Sequence, residues 1–249
     1  MSDEDPIRKM QRLSRPALPK RFYTIVSYQA GEGGYAIHLD GKPVRTPKRR
    51  PLVLPDEDMA RTVAAEWEAQ REIIDPPTMP VTRLANVTID GVADRADEVR
   101  AEIVSYAGTD LICYRADEPE GLVKRQEAAW RPLVDWALSA LGARLNLAVG
   151  VMHVRQDEAA LVAVGRAVET FGPFRLAALH GVTTITGSAI IGLALAHGHL
   201  DREAGWRAAF VDEDWQASLW GEDSEAAANR ARRRREFEAA AYVLRRAGA

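Results

Sequence analysis

The densest chemistry in this chain lies in Val211–Glu225, VDEDWQASLWGEDSE, where two tryptophans stand in a run of aspartates and glutamates. Carboxylates there could serve as general acids or bases, as metal ligands or as recognition charges. Catalysis would need a second group, and no histidine, cysteine or serine–histidine pair accompanies them locally. His38, His153 and His180 are scattered, and each reads as a strand or core histidine. An enzymatic alternative, a small-molecule hydrolase pairing Glu213 with His180 or His153, has no spacing that demands it. His197-Gly198-His199 offers two imidazoles with Asp201 nearby, but nothing completes a set of four ligands, so a helix cap is the better reading. Gly31-Glu32-Gly33-Gly34 lacks the strand–turn–helix setting of a dinucleotide loop, and no G-x-x-x-x-G-K-[ST] occurs. Thr186-Gly187-Ser188-Ala189 is not a G-x-S-x-G nucleophile turn and reads as a small-residue helix surface. Neither a metal nor a cofactor is expected.

Arg230–Arg235, RARRRR, could meet phosphates, but Glu225, Glu236 and Glu238 lie on the same predicted helix and favour i,i+4 pairs. At 100° per residue, a helix over 202–220 would put Trp206, Phe210, Glu213, Ala217 and Trp220 on one face, with Val211, Trp215 and Leu219 opposite. An unpaired carboxylate in an aromatic face is costly. The next predicted helix, 224–246, has Phe237, Ala240, Ala241 and Leu244 on its apolar face, with Arg233 and Arg230 one and two turns earlier. An antiparallel hairpin over Gly221-Glu222-Asp223 would bring either arginine to Glu213. Two roles stay open: an internal salt bridge, or a recognition carboxylate beside exposed aromatics.

These residues need a scaffold, and the chain can supply one. Its 249 residues are 47% hydrophobic and 28% charged, with a net charge of −3. That suits a globular protein with a real core and argues against a dedicated polyanion binder. The single cysteine, Cys113, lies in an apolar run and reads as a packed, inert thiol. The acidic start has no apolar signal region and favours a bacterial cytoplasm over a mitochondrial matrix, the compartment expected for a eukaryotic source. Residues 8–21 read as an extended arm. Leu176–Ala196 carries no formal charge over a bilayer-length span, but its His180, threonines and glycines favour a buried helix hairpin.

The first part alternates like strands: RFYTIVSYQ and GYAIHLDG joined by AGEGG, then a turn at Asp40-Gly41 and short proline-edged strands. At Asp56 the period becomes helical, with Asp56 as N-cap and Met59, Val63, Trp67 and Ile74 on one face. Asp75–Pro80, DPPTMP, stops that helix and reads as a hinge or linker. Helices are then expected over 81–92, 93–107, 122–141, 158–170, two within 174–197, 202–220 and 224–246, with a kink or restart at Pro132 and one strand-like stretch, LNLAVGVMHV. The fold class is α+β: a β-rich domain with one helix over 1–80, then an all-helical domain over 81–249.

Six stretches in order, LDGKPVRTP (39–47), EWEAQREIIDPPTMPVTRLANVTID (66–90), TDLICYRAD (109–117), QEAAWRPLVDW (126–136), GSAIIGLALAHGHL (187–200) and EDWQASLWGED (213–223), resemble the ATP synthase assembly chaperones that act on the alpha subunit of the catalytic head. The resemblance implies a two-part fold and a non-enzymatic chaperone, expected as a monomer. Such a chaperone binds the alpha subunit and shields the surface destined for the beta subunit. It places functional weight on Glu213, three residues before Gln216 of the tryptophan–glycine motif. The expected partner-binding residues are Glu213, Asp212, Asp214, Trp215, Gln216, Trp220 and Asp223. Arg230–Arg235 has no counterpart in the resemblance.

Overall fold

The computed structural model describes residues 18–150, 152–221 and 223–246. Residues 8–17 of the expected arm lie outside that range. The AGEGG signal becomes a hairpin: β1 (Val26–Gly31) pairs antiparallel with β2 (Gly34–Leu39), closing at Gly31 opposite Gly34. Asp40 and Gly41 take positive φ angles of 48° and 76°, the turn their types favour, and lead into β3 (Lys42–Pro43). Strand β4 (Val53–Leu54) pairs with the other end of β2. Helix α1 (Glu57–Glu68) packs across this sheet, and its N-cap Asp56 accepts a hydrogen bond from Met59 N at 2.8 Å.

Helix α1 ends at Glu68, so Ile74 is not on its face. Ile74 instead joins a small buried cluster with Tyr23, Leu39 and Met79. DPPTMP forms a 3-10 turn at Pro76–Thr78 and leads directly into α2 (Pro80–Asp90). Gln70 pins the turn: its amide donates to Glu66 O and Thr78 Oγ1, both at 3.0 Å, and its carbonyl accepts from Asp75 N at 2.7 Å. Glu66 Oε1 accepts from Val81 N at 2.8 Å, and its Oε2 accepts from Thr82 N and Oγ1, each at 2.7 Å. A carboxylate of α1 thus satisfies the open N–H groups at the start of α2. Buried apolar contacts run without a break from Ile37, Leu52 and Leu54 through Met59 into the helical core.

Seven more helices and a short sheet follow: α3 (Ala96–Ala107), α4 (Glu120–Trp136), α5 (Glu158–Glu169), α6 (Pro173–Thr186), α7 (Ala189–Ala196), α8 (Arg202–Ala209) and α9 (Val211–Trp220), before the last helix α10 (Ser224–Arg246). Pro132 does not end α4. The helix passes through it and widens into a π turn at Ala137–Leu141. Among its described residues, LNLAVGVMHV supplies only β6 (Ala148–Val149), parallel to β5 (Tyr114–Arg115).

The chargeless stretch proves to be the α6–α7 hairpin, turned at Gly187 with φ 71° and capped by Ser188, whose Oγ accepts from Ile191 N at 3.0 Å. Residues 189–195 of α7 are all buried. A Cβ on Gly192 would stand 2.7 Å from Leu179 Cδ1, so the two helices need that glycine to approach. No helix among the described residues is long and apolar enough to cross a membrane. The segment lacks charge because it is the centre of the helical core. Asp110, fully buried, ties this hairpin to the preceding chain by accepting from Ile112 N at 3.3 Å and Ile190 N at 3.0 Å. Cys113 is buried, and its burial pushes the thiol up to about 12, which makes it unreactive.

Candidate functional site

The expected single helix over 202–220 does not form. Asp201 caps α8 by accepting from Ala204 N at 2.7 Å, and the helix ends at Phe210, where φ and ψ of −117° and 26° break the ladder before α9 begins. The reason lies in packing. Trp206 and Phe210 are both 3% exposed, with ring centroids 4.0 Å apart. A straight continuation would drag Glu213 into the same buried face. Bending at Phe210 leaves the aromatics inside and swings the acids to the surface. The stripe joining Glu213 to buried aromatics is therefore corrected: Glu213 is exposed and lies beyond the bend.

The pairing expected of Glu213 does form. Its Oε1 accepts from Arg233 Nη2 at 2.9 Å, and Oε2 lies 4.0 Å from Arg230 Nη1. Arg230 also donates to Asp214. The same guanidiniums cover the aromatic core. Arg233 lies 4.5 Å from the centre of the Phe210 ring, and Arg230 lies 5.6 Å from Phe210 and 5.7 Å from Trp206. Arg234, 5.1 Å over Trp206, pairs with Glu203 and with Glu238 at 2.6 Å. That arginine holds the Glu203 carboxyl below its ordinary range. The basic run left open by the sequence thus has an internal task. Its arginines stack on α8 aromatics and fasten the acids of α8 and α9 to α10.

The other side of α9 rests on α4. Asp212 Oδ1 accepts from Gln126 Nε2 at 2.7 Å, and Gln126 Oε1 accepts from Ala116 N at 2.8 Å. Gln126 is 3% exposed. Trp130, one turn on, donates to Ala208 O at 2.6 Å and lies beneath the Arg115 guanidinium at 5.2 Å. Trp215 lies against Gly121 of α4 with Arg125 4.8 Å over its ring. The sequence reading did not single out Gln126, Gly121 or Arg125. Leu122, Gln126, Trp130 and Leu133 are the buried residues of α4, and a glutamine at that spacing is the signal that was available.

Gly221, with φ 78°, ends α9. Asp223 Oδ1 then accepts from Glu225 N at 2.8 Å and Ala226 N at 2.9 Å, which caps α10. Between the two helices lies an open cleft of about 510 Å³. Asp212, Glu213, Gln216, Trp220 and Asp223 line it, together with Arg230 and Arg233. Asp214 and Trp215 do not: one is engaged by Arg230, and the other faces α4. At the outer end Trp220 is 83% exposed and Leu219 54%.

No histidine lines this cleft. His180 Nε2 stands 3.1 Å from Glu102 Oε2, and His153 Nδ1 lies 3.2 Å from the Tyr114 hydroxyl. Neither of these contacts involves Glu213. His199 stacks on Trp136 with centroids 5.3 Å apart at the end of α7. Among the described residues no cluster of three or more histidine, cysteine or acidic side chains could hold a metal ion. The site can present charge and an aromatic surface, with most of its polar groups already fixed by neighbours.

The family model described as "ATP12 chaperone protein" matches residues 20–138. The mitochondrial atp12 protein of Schizosaccharomyces pombe is 22% identical over 214 residues, 81% of this chain and 74% of the relative. The crystal structure of Atp12 from Paracoccus denitrificans superposes with a TM-score of 0.84 at 43% identity, covering 92% of this chain and 99% of that one. That of an Agrobacterium tumefaciens protein assigned as a chaperone gives 0.87 at 46% identity, covering 98% and 91%. With near-complete coverage at such identity, the chain belongs to the ATP12 chaperone family, the ATP synthase assembly chaperones that its motifs resemble.

Proposed function

We propose that this protein is a non-enzymatic, monomeric chaperone that binds the alpha subunit of the ATP synthase catalytic head and covers its subunit interface until the beta subunit arrives. The observation that carries the reading is the α9–α10 face. Exposed Trp220 lines a cleft whose Glu213 is held in place by Arg230 and Arg233 and whose Asp212 is held by Gln126. An unassembled subunit exposes apolar surface and aggregates. Covering it reversibly calls for an aromatic anchor with a polar rim rather than a reactive group. Glu213, Asp212, Gln216, Trp220 and Asp223 supply that rim and anchor. Asp214 and Trp215 support it from behind. The identity to two bacterial proteins favours a bacterial cytoplasm. A division of labour between 1–80 and 81–249 belongs to the same proposal.

The test is co-expression with the alpha subunit alone. Wild type raises the soluble yield of alpha subunit and co-purifies with it. Trp220→Ala, at an exposed position, leaves thermal unfolding unchanged and weakens capture by about tenfold or more, the loss typical of an anchor residue. Equal capture by Trp220→Ala and by a Glu213→Gln/Trp215→Ala variant would remove this face from recognition. An alpha-subunit yield independent of the chaperone would remove the function.

A further inference from the structure

The α9–α10 cleft leaves a second pocket unexplained, on the β-rich half. Tyr23 and Leu39, 5% and 6% exposed, form its floor beside Trp67, and it encloses about 410 Å³. Phe22 stands on its rim at 72% exposure, and nearby Ile25 is 64% exposed. This exposure is built into the fold. Asp40, at the turn after β2, accepts from Thr24 N at 3.0 Å and Ile25 N at 2.8 Å. Arg21 donates to Tyr23 O and to Glu68 O, each at 3.0 Å, and lies 4.6 Å over the Tyr23 ring. Two large apolar side chains are thus pinned facing water beside an apolar hollow, an arrangement that favours being covered.

The polar groups indicate what covers it. Lys42 and Arg45 line the pocket, and among the described residues neither forms an ion pair. The one carboxylate there among the described residues, Asp40, is committed to two backbone N–H groups, and these hydrogen bonds hold it below its ordinary range. An apolar floor and a cationic rim complement an apolar side chain flanked by carboxylates.

We propose that this pocket docks an extended segment of the client protein, an aromatic or large aliphatic side chain bracketed by aspartate or glutamate. The proposal rests on the chaperone reading for the identity of the client, and assigns it a second contact of charge opposite to the acids of α9. Fluorescence anisotropy on the full chain tests it, with a fluorescein-labelled, end-capped peptide Glu-Asp-Leu-Phe-Asp-Glu and a counterpart Lys-Arg-Leu-Phe-Arg-Lys. The acidic peptide is expected to bind, to weaken as salt rises, and to lose about tenfold or more in affinity with both Lys42→Glu/Arg45→Glu and Phe22→Ser. Both variants change exposed rim residues, and unchanged thermal unfolding verifies their fold. Equal binding of the two peptides, or full binding by Lys42→Glu/Arg45→Glu, overturns the proposal. A concentration-dependent dimer in sedimentation that Phe22→Ser disperses would assign the pocket to a second copy and also overturn it. Peptide binding that survives while alpha-subunit capture fails would sink the proposed client and leave the pocket standing.

Discussion

Asp110 offers a test of how the helical core is fastened. Its carboxylate is fully buried and faces donors only: Ile112 N, Ile190 N, Ala189 N and the Ser188 hydroxyl. Burial dominates even so and raises its pKa from 3.8 to about 6. At about 1.4 kcal/mol per unit, the group's contribution changes by about 3 kcal/mol across that window. The sign follows from linkage. The folded pKa lies above the unfolded one, so the contribution is fully present below the unfolded value near 3.8 and is lost as pH rises through about 6. Asp110→Asn removes the titration while keeping the shape, though its amide NH2 then faces an N–H, at a fixed cost of about 1–3 kcal/mol. The stability of wild type relative to Asp110→Asn should therefore fall by about 3 kcal/mol between about pH 4 and pH 7. Urea unfolding of both proteins in steps across that range measures it. A flat difference would mean that the four donors cancel burial, and one that grows with pH that they outweigh it; either would refute the reasoning.

Two further outcomes bear on α9. A Cβ at Gly121 would stand 2.6 Å from Trp215 Cη2, so Gly121→Ala should cost about 1–2 kcal/mol by overpacking, offset in part by better helix propensity. A lower Tm with greater acrylamide quenching of tryptophan is expected, and a higher Tm would show that α9 does not press on α4. The Glu213–Arg233 pair has side chains 50% and 36% exposed, so a double-mutant cycle of Glu213→Gln and Arg233→Gln should give a coupling below about 1 kcal/mol that fades with salt. A coupling of several kcal/mol would make this pair a main support of the fold.

How much of this the sequence carried depended on whether the signal was local. The hairpin, the Asp56 cap and the bounds of α10 are local, and turn chemistry or an N-cap suffices to place them. The break at Phe210 is not local. Nothing in Trp206–Trp220 opposes a continuous helix, and the bend arises because Trp206 and Phe210 are buried while the acids beyond them stay at the surface, where the arginines of α10 reach them. Glu213 was thus assigned its correct partner and a wrong setting. Gln126 was missed because a glutamine inside a helix looks ordinary until Ala116 and Asp212 are found on either side of it. The uncharged central stretch reads correctly as a buried hairpin, although bilayer and protein core impose similar composition. Its small residues and the Gly192 contact mark it as core.

The arginines of α10 connect these points to function. A surface carboxylate on a free helix end is mobile, and fixing it when a partner binds costs side-chain entropy. Here Glu213 and Asp214 are already held, because Arg230 and Arg233 are themselves anchored on Phe210, and Arg230 on Trp206 as well. The acid face is therefore preorganised by buried aromatics through their cationic covers, and Asp212 is preorganised from the other side by Gln126. Trp220 is left outside this network and free to bury its ring. Under the proposed function, such a division sets recognition charge on a rigid frame and leaves Trp220 as the aromatic anchor, and release to a better-fitting natural partner then needs only a modest affinity.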